Sequence, residues 1–343
     1  MAIWTTTCFL ALAALTSPPN KGEASPGRFE YSQVQMGVPF KLVLYAHDER
    51  IANRAAKAAF ARIKQLNGIL SDYDEKSELS KLSSTAGSGK SMAISDDLRF
   101  VLRRSQRLSK QSAGAFDVTV GPLVRLWRRA RRRKRMPALQ RLAEASKAVG
   151  YRFLQLDLPG RTARLLQPGM RLDLGGIAKG YAADQALAVL QKMGVRRALV
   201  DGGGDIALGD PPPGKDGWRI GVAPLNAKAK PSRYLTLRNR AVATSGDAWQ
   251  FVELNGKRYS HIVNPATGLG LTDRSSVTIV APDCITADSL ASAVSVLGPV
   301  KGIALVDKTK GVSAFIVRNA AGKPRIHFSR RWSDLNVERT AGP

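Results

Sequence analysis

RRALVDGGGDIALG (196–209) decides the fold class. It holds two short β-rich runs, 196–201 and 204–208, with glycines between them. Further strands are predicted at 218–223, 234–237, 241–244, 258–262 and 275–280. Turn residues separate them, among them Pro211-Pro212-Pro213 and Asn255-Gly256. A helix over 177–193, closed by Gly194, precedes this region. Another over 286–297, ending at Gly298, follows it, and strands at 313–318 and 325–328 come last. Strands and helices therefore mix without the β-α-β alternation of a doubly wound sheet. The reading is α+β, with mixed, largely antiparallel sheets and packed helices. The same stretch fails the dinucleotide fingerprint, which needs glycine at 207 after Gly202 and Gly204; Ala207 stands there.

Toward the N-terminus, FEYSQVQMGVPFKLVLYA (29–46) breaks at Gly37 and Pro39 and predicts a hairpin. Asp48 is a candidate N-cap for a helix carrying Ile51, Ala55, Ala58, Ala59, Ile63, Leu66 and Leu70 at helical spacing. Ser95 opens a second helix with Leu98, Val101, Leu102 and Leu108 on one face, ending near Gly114. A third, 138–149, stops at Gly150. Short strands are predicted at 153–158 and 163–165, and just before Gly175-Gly176. No compositional break divides the chain, so 29–330 reads as one domain, 1–28 as a signal peptide and polar linker, and 331–343 as a C-terminal tail.

The 343 residues are 44% hydrophobic, near the globular norm, which excludes wholesale disorder. No internal repeat recurs, no apolar stretch approaches the length of a membrane span, and two cysteines cannot build a disulfide scaffold. Charge is the outlier: 53 Lys+Arg against 27 Asp+Glu gives +26, which draws anions. RLWRRARRRKR (125–135) alone holds eight basic residues. Its plainer reading is a solvated basic loop or helix; the sharper one is a nucleic-acid or anionic-membrane patch. MAIWTTTCFLALAALT (1–16) has an apolar run, Cys8–Leu15, of signal-peptide length, although no Lys or Arg precedes Lys21. Export is the expectation, with a damaged or misassigned start as the alternative. Cleavage would leave Cys284 as the only cysteine.

Four segments carry candidate chemistry. DLGGIAKGYAADQAL (173–187) lacks the Walker spacing, yet Gly175-Gly176 before a helix start, with Lys179 in its first turns, has the physics of an anion site. Its plainer alternative is a tight turn with an exposed lysine. In ADSLASA (287–293), Asp288 and Ser292 share one helix face, an oxygen-only pair suited to Mg²⁺; alternatively they are a polar stripe. YSHIVNPATG (259–268) places His261 beside a Pro- and Gly-bounded turn, as a general base or as a structural histidine. SAGAFDVTVGPLVRLW (112–127) places Asp117 among apolar residues, where it must find donors in backbone or ligand. His47 and His327 have no partner spacing and no assigned role.

Taken in order, these segments resemble the FAD:protein FMN transferase family, the ApbE-type flavin transferases. The matching pieces are Met36-Gly37, LNGILSDYDEKSELSKL (66–82), GAFDVTVGPLVRLW (114–127), LDLGGIAKGYAAD (172–184), ALVDGGGDIALG (198–209), ATSGD (243–247), YSHIVNPATG (259–268) and ADSLASAVSVLG (287–298). They span about residues 30–300. The resemblance implies an α+β fold with the flavin site in a cleft between two lobes. It implies that Met36, Tyr73, Ala115, Phe116, Asp117 and Asp173 hold FAD, with Lys179, Ser245, His261 and Ile262 lining the same site. Mg²⁺ would be held by the Gly176 carbonyl, Asp288 and Ser292, joined by the Ala291 carbonyl. The implied reaction moves FMN from FAD to a threonine or serine hydroxyl of an acceptor flavoprotein subunit and releases AMP, with Asp288, Lys179 and His261 carrying the chemistry. A periplasmic or cell-envelope location follows from the export reading. Nucleic acid is not expected as a partner; peripheral membrane contact through 125–135 stands as the alternative to a solvated basic surface.

Three departures stand out. Ser292 replaces the family's usual threonine, keeping the ligand oxygen but losing a rotamer-fixing methyl. Asn264 replaces the aspartate of the His-Ile-x-Asp-Pro turn, removing a negative charge beside His261. The basic run follows a motif end where the family varies. Two rivals share these residues: an FAD pyrophosphatase yielding FMN and AMP, and a basic nucleic-acid- or membrane-binding protein with vestigial flavin motifs.

Overall fold

The computed structural model describes residues 25–226, 229–246, 250–320 and 322–339. The signal-peptide expectation therefore falls almost wholly outside the described residues. The chain opens with the hairpin β1 (Gly27–Gln35) and β2 (Val38–Ala46). Helices α1 (Glu49–Leu70) and α2 (Glu78–Ser84), the short β3 (Met92–Ala93), and helices α3 (Asp96–Gln111), α4 (Gly121–Arg133) and α5 (Leu139–Lys147) come next. Strands β4 (Leu154–Asp157) and β5 (Thr162–Leu165) lead to helix α6 (Ala178–Lys192). A strand-rich half follows: β6 (Ala198–Gly202), β7 (Ile206–Leu208), β8 (Trp218–Gly221), β9 (Arg233–Leu237), β10 (Ala241–Gly246), β11 (Phe251–Leu254), β12 (Lys257–Ser260) and β13 (Arg274–Ala281). Helix α7 (Cys284–Lys308) and strands β14 (Ser313–Ala320), β15 (Lys323–Phe328) and β16 (Val337–Arg339) close it.

Eight strands form the central sheet in the order β1-β2-β6-β7-β10-β13-β14-β15, and every pairing in it is antiparallel. The α+β reading is correct. One face buries Phe40, Leu42, Val200, Ala243 and Ile279 against α1, α6 and α7. The other buries Leu208, Val242, Val280 and Phe315 against the small sheet β16-β9-β8 and Trp332. Strand β13 lies between both cores, which is why RSSVTIVA is buried along almost its whole length instead of alternating. A third core joins Leu123, Trp127 and Ala130 of α4 to Leu142 of α5, Val252 and Leu254 of β11, and Val263. This makes a small lobe, and the gap between it and the main body is the cleft described below.

The helix starts follow from their caps. Asp48 accepts from the Ile51 N–H at 2.7 Å, Ser95 from Leu98 N–H, and Asp283 from Thr286 N–H at 2.9 Å. Helix α7 corrects the expectation that no apolar stretch approaches the length of a membrane span, being long and apolar enough to cross a bilayer by length and composition alone. It is instead a core helix broken at Gly298 (φ 72°) before Pro299, so the stop at 298 is real although a second helix continues from it. No strand precedes Gly175-Gly176. Residues 172–174 run between the main body and α4, with Asp173 N–H donating to Val118 O at 2.8 Å outside any ladder. The strand at 258–262 ends at Ser260, whose hydroxyl accepts from Ile262 N–H and turns the chain. Residues 331–339, expected to be a tail, pack back on the body: Trp332 is buried, and β16 pairs with β9.

Asp184 on α6 ties down the start of α7 by accepting from Cys284 N–H at 2.8 Å and Ile285 N–H at 2.9 Å. Burial pushes its carboxyl up to about 7 despite these two donors. A carboxyl raised on folding stabilises the fold fully below its unfolded value and loses that contribution as pH climbs toward 7. Asp184→Asn removes the titrating group. Wild-type stability is expected to fall relative to this variant between about pH 4 and 7, by ~1.4 kcal/mol for each unit by which folding raises the pKa. Urea unfolding of both proteins across this range measures it.

Candidate active site

A cleft of about 1080 Å³ opens between the small lobe and the main body. Its walls include Met36, Tyr73, Ala115, Phe116, Asp117, Asp173, Gly176, Lys179, Ser245, His261, Ile262, Asp288, Ala291 and Ser292. Every residue singled out from the sequence is thus brought to one place, from the first hairpin to the seventh helix. How each is held differs.

Deep in the cleft, α6 and α7 are pressed together. A Cβ on Gly180 would collide with the Cys284 carbonyl and sit 2.8 Å from the Asp288 Cβ, so only glycine allows this approach. The Gly180 N–H then donates to Asp288 Oδ2 at 3.0 Å. One turn along, a Cβ on Gly176 would lie 2.7 Å from Ser292 Oγ. The Gly-Gly turn and the Asp288–Ser292 helix face therefore meet directly, and Ser245 Oγ stands 3.5 Å from Ser292 Oγ. Gly180→Ala is expected to destabilise the fold by ~1–3 kcal/mol, as overpacking does, and to displace Asp288. Denaturant unfolding with a parallel activity assay tests both effects.

Lys179 is not the exposed lysine of the plainer reading. Its ammonium pairs with Asp205, which is 3% exposed. Burial alone would lower its pKa, but Asp205 and Asp288 hold it above the ordinary lysine value. Burial pushes Asp288 up to about 7, and the charge of Asp205 adds to this against Lys179 and the Gly180 N–H. With Asp205 taken up by Lys179, charging Asp288 in this poorly solvated place is costly without a further cation. No group of three or more His, Cys, Asp or Glu side chains suited to a metal occurs among the described residues. The oxygens available are one carboxylate, two serine hydroxyls and backbone carbonyls. Such a set fits a hard cation that keeps its remaining ligands from water and phosphate, as Mg²⁺ does.

Asp117 finds its donors in its own chain. Oδ1 accepts from Thr119 N–H and Oγ1–H at 2.8 and 2.7 Å, and Oδ2 from Tyr151 N–H at 2.7 Å. Burial raises its pKa against these donors. The carboxylate fixes the 115–120 loop on the cleft wall. Asp173 accepts from Gly175 N–H at 2.8 Å through Oδ1 and so braces the glycine turn.

His261 N–H and its ring Nδ1 both reach the Gln250 carbonyl, at 3.0 and 3.1 Å. A carbonyl only accepts, so the ring proton sits on Nδ1 and the Nε2 lone pair is the basic one. The backbone of Gln250 thus does the orienting that the absent carboxylate at 264 would otherwise be assigned. Asn264 itself accepts from Ala266 N–H at 2.9 Å and shapes the turn. Asp247, at the end of its motif, lies outside the described residues.

Arg128 is not the solvated cation that the basic run suggests. Its guanidinium pairs with Asp72 and, at 2.8 Å, with Asp173 Oδ2, and it stacks 4.1 Å from the Tyr73 ring centroid. Arg131 follows at the same wall and donates to Gln250 Oε1 at 3.1 Å. Val120, Val124, Trp127, Arg128 and Arg131 all line the cleft, and their i, i+4, i+7, i+8 and i+11 spacing is the signal that could have identified this face. Tyr73 is 75% exposed and offers an aromatic surface at the mouth, with Arg128 stacked on it.

A cleft cationic and acidic at depth, aromatic at its mouth and furnished with hard oxygens is suited to a nucleotide-sized anion, which places the chain among α+β proteins that handle phosphate esters. Within that class it belongs to the ApbE family, whose model matches residues 36–316. It is 33% identical over 270 residues to FAD:protein FMN transferase of Haemophilus influenzae, covering 76% of this chain and 78% of that one. The FAD:protein FMN transferase of Treponema pallidum is likewise 33% identical, over 306 residues and 84% of each chain. Among solved structures, the flavin transferase ApbE from Vibrio cholerae superposes with a TM-score of 0.81 at 26% identity, covering 91% of this chain and all of that one.

Proposed function

We propose that this protein is an FAD:protein FMN transferase that moves FMN from FAD to a serine or threonine hydroxyl of an acceptor protein and releases AMP. The observation that carries the reading is the meeting of the Gly176 turn with the Asp288–Ser292 face inside a cleft of nucleotide size. In this reading Asp288, Ser292 and the carbonyls of Gly176 and Ala291 hold Mg²⁺, and FAD lies along the residues from Met36 to Ile262 named above. Bound there, the cation acts as a Lewis acid and template for the diphosphate.

The chain's own groups do the rest. The positive end of the α6 dipole, with Lys179 in its first turn, supplies positive potential where phosphate charge grows. Helix α6 has no side-chain cap at Ile177; Ala178 N–H is bonded to the Leu174 carbonyl and Gly180 N–H to Asp288, so the helix start acts on a ligand through its dipole. Tyr73 and Arg128 present a stacked aromatic and cation at the mouth, matched to a planar ring system. His261 Nε2 takes the proton of the acceptor hydroxyl as it attacks the phosphorus. AMP leaves with the bridging oxygen, and the new bond is a phosphoester between FMN and the acceptor.

Purified protein incubated with FAD, Mg²⁺ and an acceptor carrying a Ser/Thr-containing Ser-Gly-Ala-Thr-like segment tests this. A fluorescent acceptor band that survives denaturation is expected. Free FMN and AMP without labelling would instead mark a pyrophosphatase. Export belongs to the same proposal, and a secreted mature species lacking the first residues would support it.

A further inference from the structure

Helix α4 has two sides. Its inner side walls the cleft through Val124, Trp127, Arg128 and Arg131. The other basic residues of the run, Arg125, Arg129, Arg132 and Arg133 on α4 with Lys134 and Arg135 just past its end, make no ion pair among the described residues, and all but the half-buried Arg129 are exposed. One or two cations in the last turn would satisfy the helix dipole. Six uncompensated charges on eleven residues exceed that and repel one another. Among the described residues, nothing in the fold uses them.

We propose that this outer side of α4 is the docking surface for an acidic segment of the acceptor protein, which it guides to the cleft. The proposal rests on the transfer reading above and extends it to the partner's chemistry. Position favours a polypeptide: the patch is continuous with the cleft wall, so an acidic chain lying on it can pass its hydroxyl toward His261. Single-stranded nucleic acid would need exposed rings for base stacking, and the run's one aromatic residue, Trp127, is buried with its indole N–H on the Gly268 carbonyl at 2.8 Å.

The test uses the full chain with FAD and Mg²⁺ and two fluorescein-labelled peptides. Both carry the same Ser-Gly-Ala-Thr segment, one flanked by glutamates and the other by glutamines. Fluorescence anisotropy reads binding and, separately, FMN labelling reads transfer. The glutamate peptide is expected to bind about tenfold tighter at low salt, an advantage that half-molar NaCl removes. Replacing Arg125, Arg132, Arg133, Lys134 and Arg135 together by serine should abolish that preference and leave FAD affinity unchanged. The five side chains are exposed, so the fold should survive, and an unaltered melting temperature checks it. Equal binding of the two peptides by the wild type, or an undiminished preference in the variant, overturns the proposal. So does loss of binding to phosphatidylglycerol vesicles in the variant without any peptide preference in the wild type, which would assign the patch to a membrane. Charge-dependent binding without labelling would instead count against the transfer reading alone.

Discussion

Asp288→Ala is expected to lower Mg²⁺-dependent FMN transfer by about a thousandfold or more, while the protein stays folded. A cation that stabilises transition-state charge contributes several kcal/mol, and a loss of ~4 kcal/mol is a factor of about 10³. The fold should tolerate the change because Asp288 is a burdened group: burial and Asp205 push it up to about 7, and its one hydrogen bond in the described structure is to Gly180 N–H. Removing it lightens a negative cluster. Labelling rate and melting temperature, measured together, check both halves. Labelling at the wild-type rate would show that the cation does not depend on Asp288.

Lys179→Met has the opposite signature. It strands Asp205, 3% exposed, and Asp288, 5% exposed, without their common cation. Breaking one side of such a buried pair costs ~3–5 kcal/mol, because a charge is left uncompensated. Adding Asp205→Asn should restore most of that stability. It should not restore turnover, since the positive potential behind the 175–176 turn stays absent. Denaturant unfolding of the two single variants and the double variant gives the coupling energy. Additive losses in the double variant would mean that the pair is not the structural unit described here.

The sequence made legible those parts whose signals are local. Helices α1 and α3 announce themselves through Asp48 and Ser95 caps followed by apolar residues at helical spacing, and the first hairpin through Gly37 and Pro39. The Gly-Gly turn before α6 was readable as an anion site because its physics lies within a few residues. The strand expected before it was not correct. LDL alternates like a strand, but its backbone bonds to the 118–120 loop and not to a sheet. Helix α2 is only seven residues long, too short for an apolar periodicity to be readable.

Arg128 and Asp205 were hidden for a different reason. Arg128 has the same chemistry as its neighbours in the basic run, and only the rotation of α4 turns it toward Asp72 and Asp173. Asp205 lies 26 residues from Lys179, and the two are brought together by the sheet. The orientation of His261 by a backbone carbonyl is equally invisible in a sequence, where Asn264 looks like a missing partner. Side-chain identity and order thus pointed to the cleft, while its ion pairs required the tertiary fold.

In the proposed function, the oxygens of the 176 turn and the 288–292 helix would share one divalent cation with a flavin dinucleotide. Anomalous diffraction from crystals of the full chain grown with FAD and Mn²⁺, a substitute for Mg²⁺, would locate that cation. A single metal peak at bonding distance from the Asp288 carboxylate, Ser292 Oγ and the dinucleotide's phosphates is expected. Ordered FAD in the cleft with the metal elsewhere, or with none, would contradict it.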